Sequence, residues 1–473
     1  MGIQMLAAIL EREGFEVRLL DANASCNRLS TEQIVAKAKE LKPDVIGITL
    51  VTPLVKEAYR LAEGLRSVGA KLLAGGPHAT LLPEEPLQRG FDAVVVGEGD
   101  LTIVEAIRAV LGEIPLESVL GLVYRTADGR IERNEPRPPV ADLDSLPLPA
   151  RHLVQTSDYG PTPEFLHSSI FTSRGCPARC SYCSGGMFGK KFRFRAADRV
   201  VDEMVEIHRR YGTRHFYFVD DAMSMDRDRL RKICGRMIDE KLDFTWHMMT
   251  RIDSMDEELL ALAARAGCKQ IEYGVESGSP ATLKKIRKPH TVEMVRRIIP
   301  MTQKHGIQPV AFFILGFPWE NVGHIDETLR LMEFLSPYVI FHPAIASILI
   351  PFPGTELFEQ YKDEYGFDRW WLGDDRNYDA PRIDRHAFYQ VMMHRMGVVL
   401  DADFFRYSTA VKEKIHRVFR FMYASNFRRR NLFVRLGVLT AIDVSRKLSS
   451  LSPGLERTLF GTIGKLRQKL KRG

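Results

Sequence analysis

Short apolar runs and helical spacings alternate along the first hundred residues. Leu6, Ile9 and Leu10 recur at helical spacing, and Gly14 ends that helix before an apolar stretch, Val17–Leu20, that reads as a strand. A second helix, Thr31–Leu41, runs through Pro43 into the strand Val45–Leu50. Tyr59–Val68 is helical again, and the strand Lys71–Ala74 stops at Gly75-Gly76-Pro77. The strand Ala93–Val96 is closed by Gly97-Glu98-Gly99, and Leu101–Leu111 has helical spacing. Strands this short and apolar, set between helices, predict an α/β, Rossmann-like unit whose parallel sheet is covered on both faces. Its glycines cluster at the carboxyl ends of strands, where open α/β sheets bind ligands.

A small hairpin of Gly121–Tyr124 with Ile131 follows, and prolines and acids between Pro136 and Pro149 predict an extended linker. From Ile170 the βα rhythm returns six times. Strands are expected at Ile170–Thr172, His215–Val219, Phe244–Met248, Gln270–Tyr273, Val310–Leu315 and Ile345–Leu349, with helices at Ala197–Arg210, Arg227–Glu240, Glu257–Ala266, Val292–Lys304 and His324–Leu335. Six steps fall short of a closed eight-stranded barrel, and function in βα barrels sits at the carboxyl ends of the strands. Those ends carry Asp220-Asp221, Thr250-Arg251, Gly274-Val-Glu276-Ser277, Gly316-Phe-Pro318 and Pro351-Phe-Pro-Gly354-Thr355. Each alone also suits an ordinary loop, since Gly-Phe-Pro and Pro-Gly are frequent turns and Asp-Asp a frequent helix cap.

After Glu356 the pattern is helical. Trp370-Trp371 and Asp374-Asp375 suit packing or a substrate entrance, and Val411, Ile415, Val418, Phe419 and Met422 form one apolar helix face suited to docking. The expected domains are 1–135 (α/β), 136–165 (linker), 166–357 (barrel) and 358–473 (helical, with a basic tail).

Charge changes the picture only at that tail. Of a net charge of +7, residues Asn426 to Gly473 hold +10 (twelve Lys/Arg, two Asp/Glu), so the rest of the chain is at −3. Nothing here predicts nucleic-acid binding. The tail suits an anionic membrane surface or a solvated end equally. No apolar run reaches the ~18 residues of a membrane span, and the first residues show no secretory signal pattern. A cytoplasmic location is expected, peripheral to the inner membrane face if the tail binds lipid. Cys26, Cys234 and Cys268 have no disulfide spacing, which agrees with a reducing compartment.

The other three cysteines carry the chemistry. Cys176, Cys180 and Cys183 share one loop after Gly175, with gaps of three and two residues. Thiolates so close suit an iron–sulfur cluster, and three sulfurs for four irons leave one iron open. Zinc is the plainer alternative, although structural zinc is almost always closed by four ligands, and no second Cys or His pair follows.

The loop Cys176-x-x-x-Cys180-x-Tyr182-Cys183 resembles that of the radical S-adenosylmethionine (SAM) superfamily. The resemblance, covering roughly residues 1–357, implies the partial, open (β/α)6 barrel that the six βα steps match. It also implies that SAM chelates the open iron and is cleaved to a 5′-deoxyadenosyl radical. It implies SAM contacts at Tyr182, Arg251, Gly274, Glu276, Ser277, Gly316 and Pro318, the metal ligands being Cys176, Cys180 and Cys183. Glu276 would accept from ribose hydroxyls, Tyr182 would lie under the adenine, Arg251 would meet the SAM carboxylate, and the glycines would admit the nucleoside. Asp220 and Asp221 would serve cofactor or substrate.

Gly97-x-Gly99 lacks the third glycine and distal acid of a dinucleotide fingerprint. With Gly47-Ile-Thr49 and Gly75-Gly76-Pro-His78 it resembles the cobalamin-binding domain that precedes many radical SAM enzymes. This implies cobalamin contacts at Gly47, Thr49, Gly75, Gly76, His78, Gly97, Glu98 and Gly99. The Asp-x-His-x-x-Gly signature is missing, so cobalt would have no histidine ligand. The chain begins inside the family's first helix, so a strand is expected upstream of Met1, or else the pocket is incomplete. The implied function is a class B-like radical SAM methyltransferase acting on an unactivated centre. Cyclisation, oxidation or rearrangement with the same cofactors is the alternative, and a non-catalytic iron–sulfur electron-transfer or regulatory protein is the rival of another class. The expected partners are a small molecule, lipid-like ones included, and a reductase or flavodoxin-type electron donor.

Overall fold

The computed structural model describes residues 1–22, 29–154, 167–185, 188–341, 348–373 and 403–426. The chain opens with helix α1 (Gly2–Arg12), followed by α2 (Thr31–Leu41), whose start is fixed by a capping box between Ser30 and Gln33. Strand β1 (Val45–Thr49), helix α3 (Val55–Leu65), strand β2 (Lys71–Gly75), short helices α4 (Pro77–Leu81) and α5 (Glu84–Gln88), strand β3 (Ala93–Val95) and helix α6 (Ile103–Val110) then alternate. Strands β4 (Leu122–Arg125) and β5 (Ile131–Arg133) form the expected hairpin. The sheet order is β1-β2-β3-β4-β5, parallel as far as β3 and antiparallel beyond it. Its middle strands are buried on both faces, as Leu72, Leu73, Ala74, Val94 and Val95 show, so their continuous apolar runs are explained.

Val17–Leu20 forms no strand. Among the described residues β1 is an edge strand that pairs only with β2, and the stretch does not add to its free edge. Val17 and Leu19 instead pack against Ala7, Ala8 and Ala150.

The second sheet begins with β6 (Ser169–Ile170). The two-stranded ladder β7 (Ser173–Arg174) and β8 (Arg193–Phe194) brackets the cysteine loop. Helix α7 (Ala197–Tyr211), strand β9 (His215–Phe218), helix α8 (Arg227–Asp239), strand β10 (Thr245–Thr250), helix α9 (Glu257–Arg265) and strand β11 (Cys268–Glu276) follow. After the short α10 (Pro280–Lys285) come α11 (Val292–Lys304), β12 (Gln308–Phe313), α12 (Val322–Leu335) and β13 (Ile340–Phe341). The order β13-β12-β11-β10-β9-β6 is parallel throughout, and among the described residues its two edges do not pair, which is an open barrel wall. The sixth strand expected at Ile345–Leu349 falls in large part outside the described residues. Residues 345–347 lie outside the described set, and the pairing with β12 is made by Ile340–Phe341, followed by a single bridge between Leu315 and Ile348.

Helix α13 (Glu356–Tyr365) leads to Trp370 and Trp371, which are buried rather than lining an entrance. Helix α14 (Thr409–Asn426) buries Val411, Ile415, Val418 and Met422 as it packs on α12 and β13, so its apolar face docks within the chain. No helix among the described residues is long and apolar enough to cross a membrane. Asp374-Asp375 and the basic stretch 427–473 lie outside the described residues.

Candidate active site

The cysteine loop is held at its base by Asp220. This carboxylate follows β9 and is 2% exposed. It accepts the backbone N–H groups of Thr172 (2.9 Å) and Ser173 and the hydroxyls of Thr172 (3.0 Å) and Ser173 (2.7 Å). Arg229 donates to the Thr172 carbonyl (3.1 Å) and hydroxyl (2.9 Å) from the other side. Asp220 therefore braces the strand that feeds the loop and is not free for cofactor or substrate. Asp221, by contrast, is exposed, and its charge reaches Cys183.

At Gly175 (φ +84°) the chain turns into the loop, where a Cβ would overlap the Lys191 carbonyl. Cys176 N–H donates to the Gly189 carbonyl (3.3 Å), Cys183 N–H to the Cys180 carbonyl (3.2 Å), and Gly185 N–H to Cys183 Sγ (3.2 Å). The loop is also tied to the barrel, with Ser181 N–H on the Ile286 carbonyl (3.3 Å) and Leu357 N–H on the Ser181 carbonyl (3.1 Å). Among the described residues no three His, Cys, Asp or Glu side chains converge on one metal ion. Yet the three thiols act on one another electrostatically. Neighbouring thiols suit a multi-iron cluster, whose sulfur ligands bind different irons.

Both ends of the loop are clamped by the first sheet. Arg174, just before Gly175, makes two bonds to Asp100 (2.7 and 3.0 Å) and one to Glu98 (3.3 Å). Arg193, just after the loop, bonds the Glu98 carboxylate (3.0 Å) and the Phe188 carbonyl (2.9 Å). Glu98 also accepts the Val140 N–H at 3.1 Å, so the linker threads the same junction. The side chains of Glu98, Arg174 and Arg193 are 4%, 8% and 5% exposed, a dry ionic junction.

On the barrel side, Glu276 ends β11 with φ +67°, an uncommon conformation for a residue with a side chain. Its carboxylate pairs with Lys288 Nζ at 2.9 Å and accepts from the Tyr182 hydroxyl. Lys288 lies 5.9 Å from the Tyr182 ring centre and 3.4 Å from the Gly274 carbonyl. A Cβ on Gly274 would come within 2.6 Å of Glu276 Oε1 and 3.2 Å of Lys288 Nζ, so the missing side chain makes this cradle. Burial lowers the pKa of Lys288, but Glu276 and Cys180 outweigh it and leave the pKa above its ordinary value. Arg251 is bound by Asp253 (2.9 and 2.5 Å), and the charges of Cys176 and Cys180 reach it.

Tyr182, Arg251, Gly274 and Glu276 thus gather around the cysteines. Other expected contacts do not. Ser277 is fully buried, with its hydroxyl on Thr328 (3.1 Å) and on the Ser279 N–H (3.1 Å), which turns it into the core. Gly316 (φ +81°) makes room for Tyr407, which donates to its carbonyl and would overlap a Cβ there. Pro318 is half-buried beside Phe317, whose ring meets Tyr182 edge-on at 6.0 Å. Lys288, Arg174 and Arg193 escaped sequence reading, because nothing in their local pattern separates them from surface cations.

The turn after Gly316 is held by Glu320, a buried carboxylate that accepts from the N–H groups of Gly316 (2.8 Å) and Phe317 (3.2 Å) and from Thr282 Oγ1 (3.3 Å). Burial outweighs these bonds and pushes its pKa from 4.5 up to about 7. The unfolded chain ionises first, so stability falls as pH rises from 4.5 through about 7, by up to about 3 kcal/mol at ~1.36 kcal/mol per unit. E320Q stays neutral, so its melting temperature should gain on the wild type between about pH 5 and about pH 7.5. A constant gap would show that Glu320 titrates normally.

On the first sheet the glycines and the polar residues part company. No atom lies within 4 Å of where a Cβ would stand at Gly47 or Gly97, and Thr49 is exposed. Gly75 and Gly76 (φ +91°) turn the chain at the end of β2, and Gly99 packs on Leu6. This open, side-chain-poor end of the sheet fits the approach of a broad, flat macrocycle. His78 does not face it. Its ring is fully buried, with Nδ1 3.1 Å from Thr52 Oγ1 and Nε2 3.0 Å from Glu85, whose carboxylate also accepts from Tyr59 (2.8 Å) and Trp371 (3.1 Å). Glu98 is likewise taken, by the two arginines.

Residues 1–107 match the model of the B12 binding domain, and residues 170–332 that of the radical SAM superfamily. An uncharacterized methyltransferase of Pyrococcus horikoshii is 31% identical over 365 residues, covering 76% of this chain and 77% of that one. The chain belongs to the cobalamin-dependent radical SAM family. It is a radical SAM enzyme whose cofactors are a four-iron four-sulfur cluster, SAM and cobalamin. Its relatives include the cytidylyl-2-hydroxyethylphosphonate methyltransferase of Streptomyces wedmorensis (29% identical, 76% of this chain and 77% of that one). They also include the anaerobic magnesium-protoporphyrin IX monomethyl ester cyclase of Rubrivivax gelatinosus (28%, covering 76% and 66%). The radical SAM methyltransferase TsrM of Kitasatospora setae, solved with cobalamin and a [4Fe-4S] cluster, shares the fold with a TM-score of 0.65 at 19% identity over 77% of this chain and 72% of that one. A small-molecule substrate and an electron donor go with this family.

Proposed function

We propose that the enzyme transfers a methyl group to an unactivated carbon or phosphorus of a small molecule. One observation carries the reading: the cysteine loop is bound at both ends to the glycine-rich end of the first sheet through Glu98 and Asp100, so the two cofactor-bearing ends face a common junction. When bound, the cluster and SAM supply an adenosyl radical and cobalamin supplies the methyl group. Cys176, Cys180 and Cys183 hold three irons and leave the fourth open. Tyr182 and Glu276, held by Lys288, present a ring face and a carboxylate to the nucleoside. Arg251, already bound by Asp253, offers its remaining N–H groups to the SAM carboxylate. Gly47, Thr49, Gly75, Gly76, Gly97 and Gly99 line the cobalamin side, and exposed Asp221 meets the substrate. The domain plan is 1–135, 136–165, 166–357 and 358–473. A lipid-like substrate is the variant that the basic stretch from Asn426 to Gly473 supports, with its net charge of +10.

The test is anaerobic incubation of the reconstituted full chain with SAM, reductant, hydroxocobalamin and a metabolite extract. Methyl transfer predicts 5′-deoxyadenosine and S-adenosylhomocysteine in similar amounts, the second from remethylation of cobalamin. 5′-Deoxyadenosine alone would move the enzyme to cyclase-type chemistry. Absence of both products would refute radical SAM activity.

A further inference from the structure

Lys288 has no role in the reading of the sequence, yet it is the more buried of the two cations, Lys288 and Arg251, whose charge reaches the Cys180 thiol. Its side chain is 10% exposed, and its ammonium is held by Glu276 (2.9 Å), the Gly274 carbonyl (3.4 Å) and the face of Tyr182 (5.9 Å). Tyr182 lies between Cys180 and Cys183 in the chain, and the Ser181 N–H binds Ile286, two residues before Lys288. The lysine is therefore fixed against the loop by the same contacts that fix the loop, and its charge reaches both thiols.

Stability gives little reason for a cation here. A buried ion pair often contributes no more than a well-packed apolar pair of similar size. The electrostatics give a better one. As cluster ligands the three cysteines would be thiolates, and with Glu276 beside them they would place negative charge in this region, while Arg251 is offset by Asp253. Adding an electron to a cluster in such surroundings is opposed, and net charge is one of the factors that set cluster potentials.

We propose that Lys288 tunes the cluster electrostatically: its ammonium, buried between Glu276 and the thiols of Cys180 and Cys183, offsets negative charge there and makes the cluster easier to reduce. This rests on the radical SAM reading above and adds a residue that need not touch substrate. The chemical step is a one-electron reduction, with the electron supplied by the donor and no bond formed to Lys288.

The experiment is a redox titration of the reconstituted full chain with titanium(III) citrate, following the reduced cluster by electron paramagnetic resonance. At a fixed potential K288M should show a reduced-to-oxidised ratio about tenfold below wild type, equivalent to ~59 mV for one electron. K288M leaves Glu276 buried without its partner, which is strongly destabilising. The same lysine-to-methionine step is therefore also read in the E276Q background, where no charge is stranded, and K288M/E276Q should fall about tenfold below E276Q. If K288M holds no iron, the E276Q background decides. Ratios within twofold across that step would overturn the proposal while leaving the enzyme assignment intact. A wild-type chain that takes up no four-iron cluster would instead sink the assignment itself.

Discussion

A chain carrying C176A, C180A and C183A together binds no four-iron cluster and releases no 5′-deoxyadenosine. The expectation is total loss, because these thiols are the ligands the loop offers and each serves a different iron. The scaffold of the loop does not depend on them. Its base is braced by Asp220 through Thr172 and Ser173, its turn by Gly175, and its ends by Arg174 and Arg193. The triple variant should therefore melt close to the metal-free wild-type chain, so that loss of iron cannot be put down to unfolding. Iron analysis and absorbance after anaerobic reconstitution decide it. Four irons per chain retained by the variant would remove these residues from the metal site.

Glu98→Ala has the second largest effect, and it falls on stability. The carboxylate is the meeting point of Arg174, Arg193 and the Val140 N–H in a junction closed to water. Removing it strands Arg193, whose side chain is 5% exposed and keeps only carbonyl partners, the Val140 and Phe188 oxygens. Breaking a buried pair from one side costs about 3–5 kcal/mol. At ~2–4 °C per kcal/mol for a domain of 150–250 residues, melting should drop by roughly 6–20 °C. Arg174 keeps its two bonds to Asp100, so the double variant E98A/D100A should fall further. A change under about 2 °C in E98A would mean that water reaches this junction, because exposed pairs contribute ~0–1 kcal/mol.

What the sequence disclosed follows from how local each signal is. Strands buried on both faces are continuous apolar runs, so Leu72–Ala74 and Ala93–Val95 could be placed from pattern alone. The metal loop was legible because its ligands lie within eight residues of one another, from Cys176 to Cys183. Polar residues at strand ends were not legible. Glu98 and His78 sit where ligands bind in such sheets, but their partners Arg193 and Trp371 lie far along the chain, and a polar residue looks the same in sequence whether it faces a ligand or a distant side chain. The Ser277 hydroxyl and the Gly316 carbonyl likewise have partners distant in sequence, Thr328 and Tyr407. Val17–Leu20 shows the converse. Its apolar pattern is sound, but a strand needs a neighbour, and pairing is not written in the segment itself.

The bond between Trp371 and Glu85 spans 286 residues, and this has a consequence for biosynthesis. At ~5–20 residues per second, a ribosome needs roughly 15–60 s to produce Trp371 after Glu85. For most of that interval, once β5 has been made, the first sheet is complete enough to collapse, while the wall over His78 and Glu85 is open and its indole donor does not yet exist. The nascent chain thus carries a polar gap in an apolar surface for far longer than the ~0.1–100 μs of hydrophobic collapse. Slower translation would lengthen that exposure, and an N-terminal unit produced on its own would keep it permanently. Soluble yield of such a fragment should therefore depend on chaperone supply more steeply than that of the whole chain.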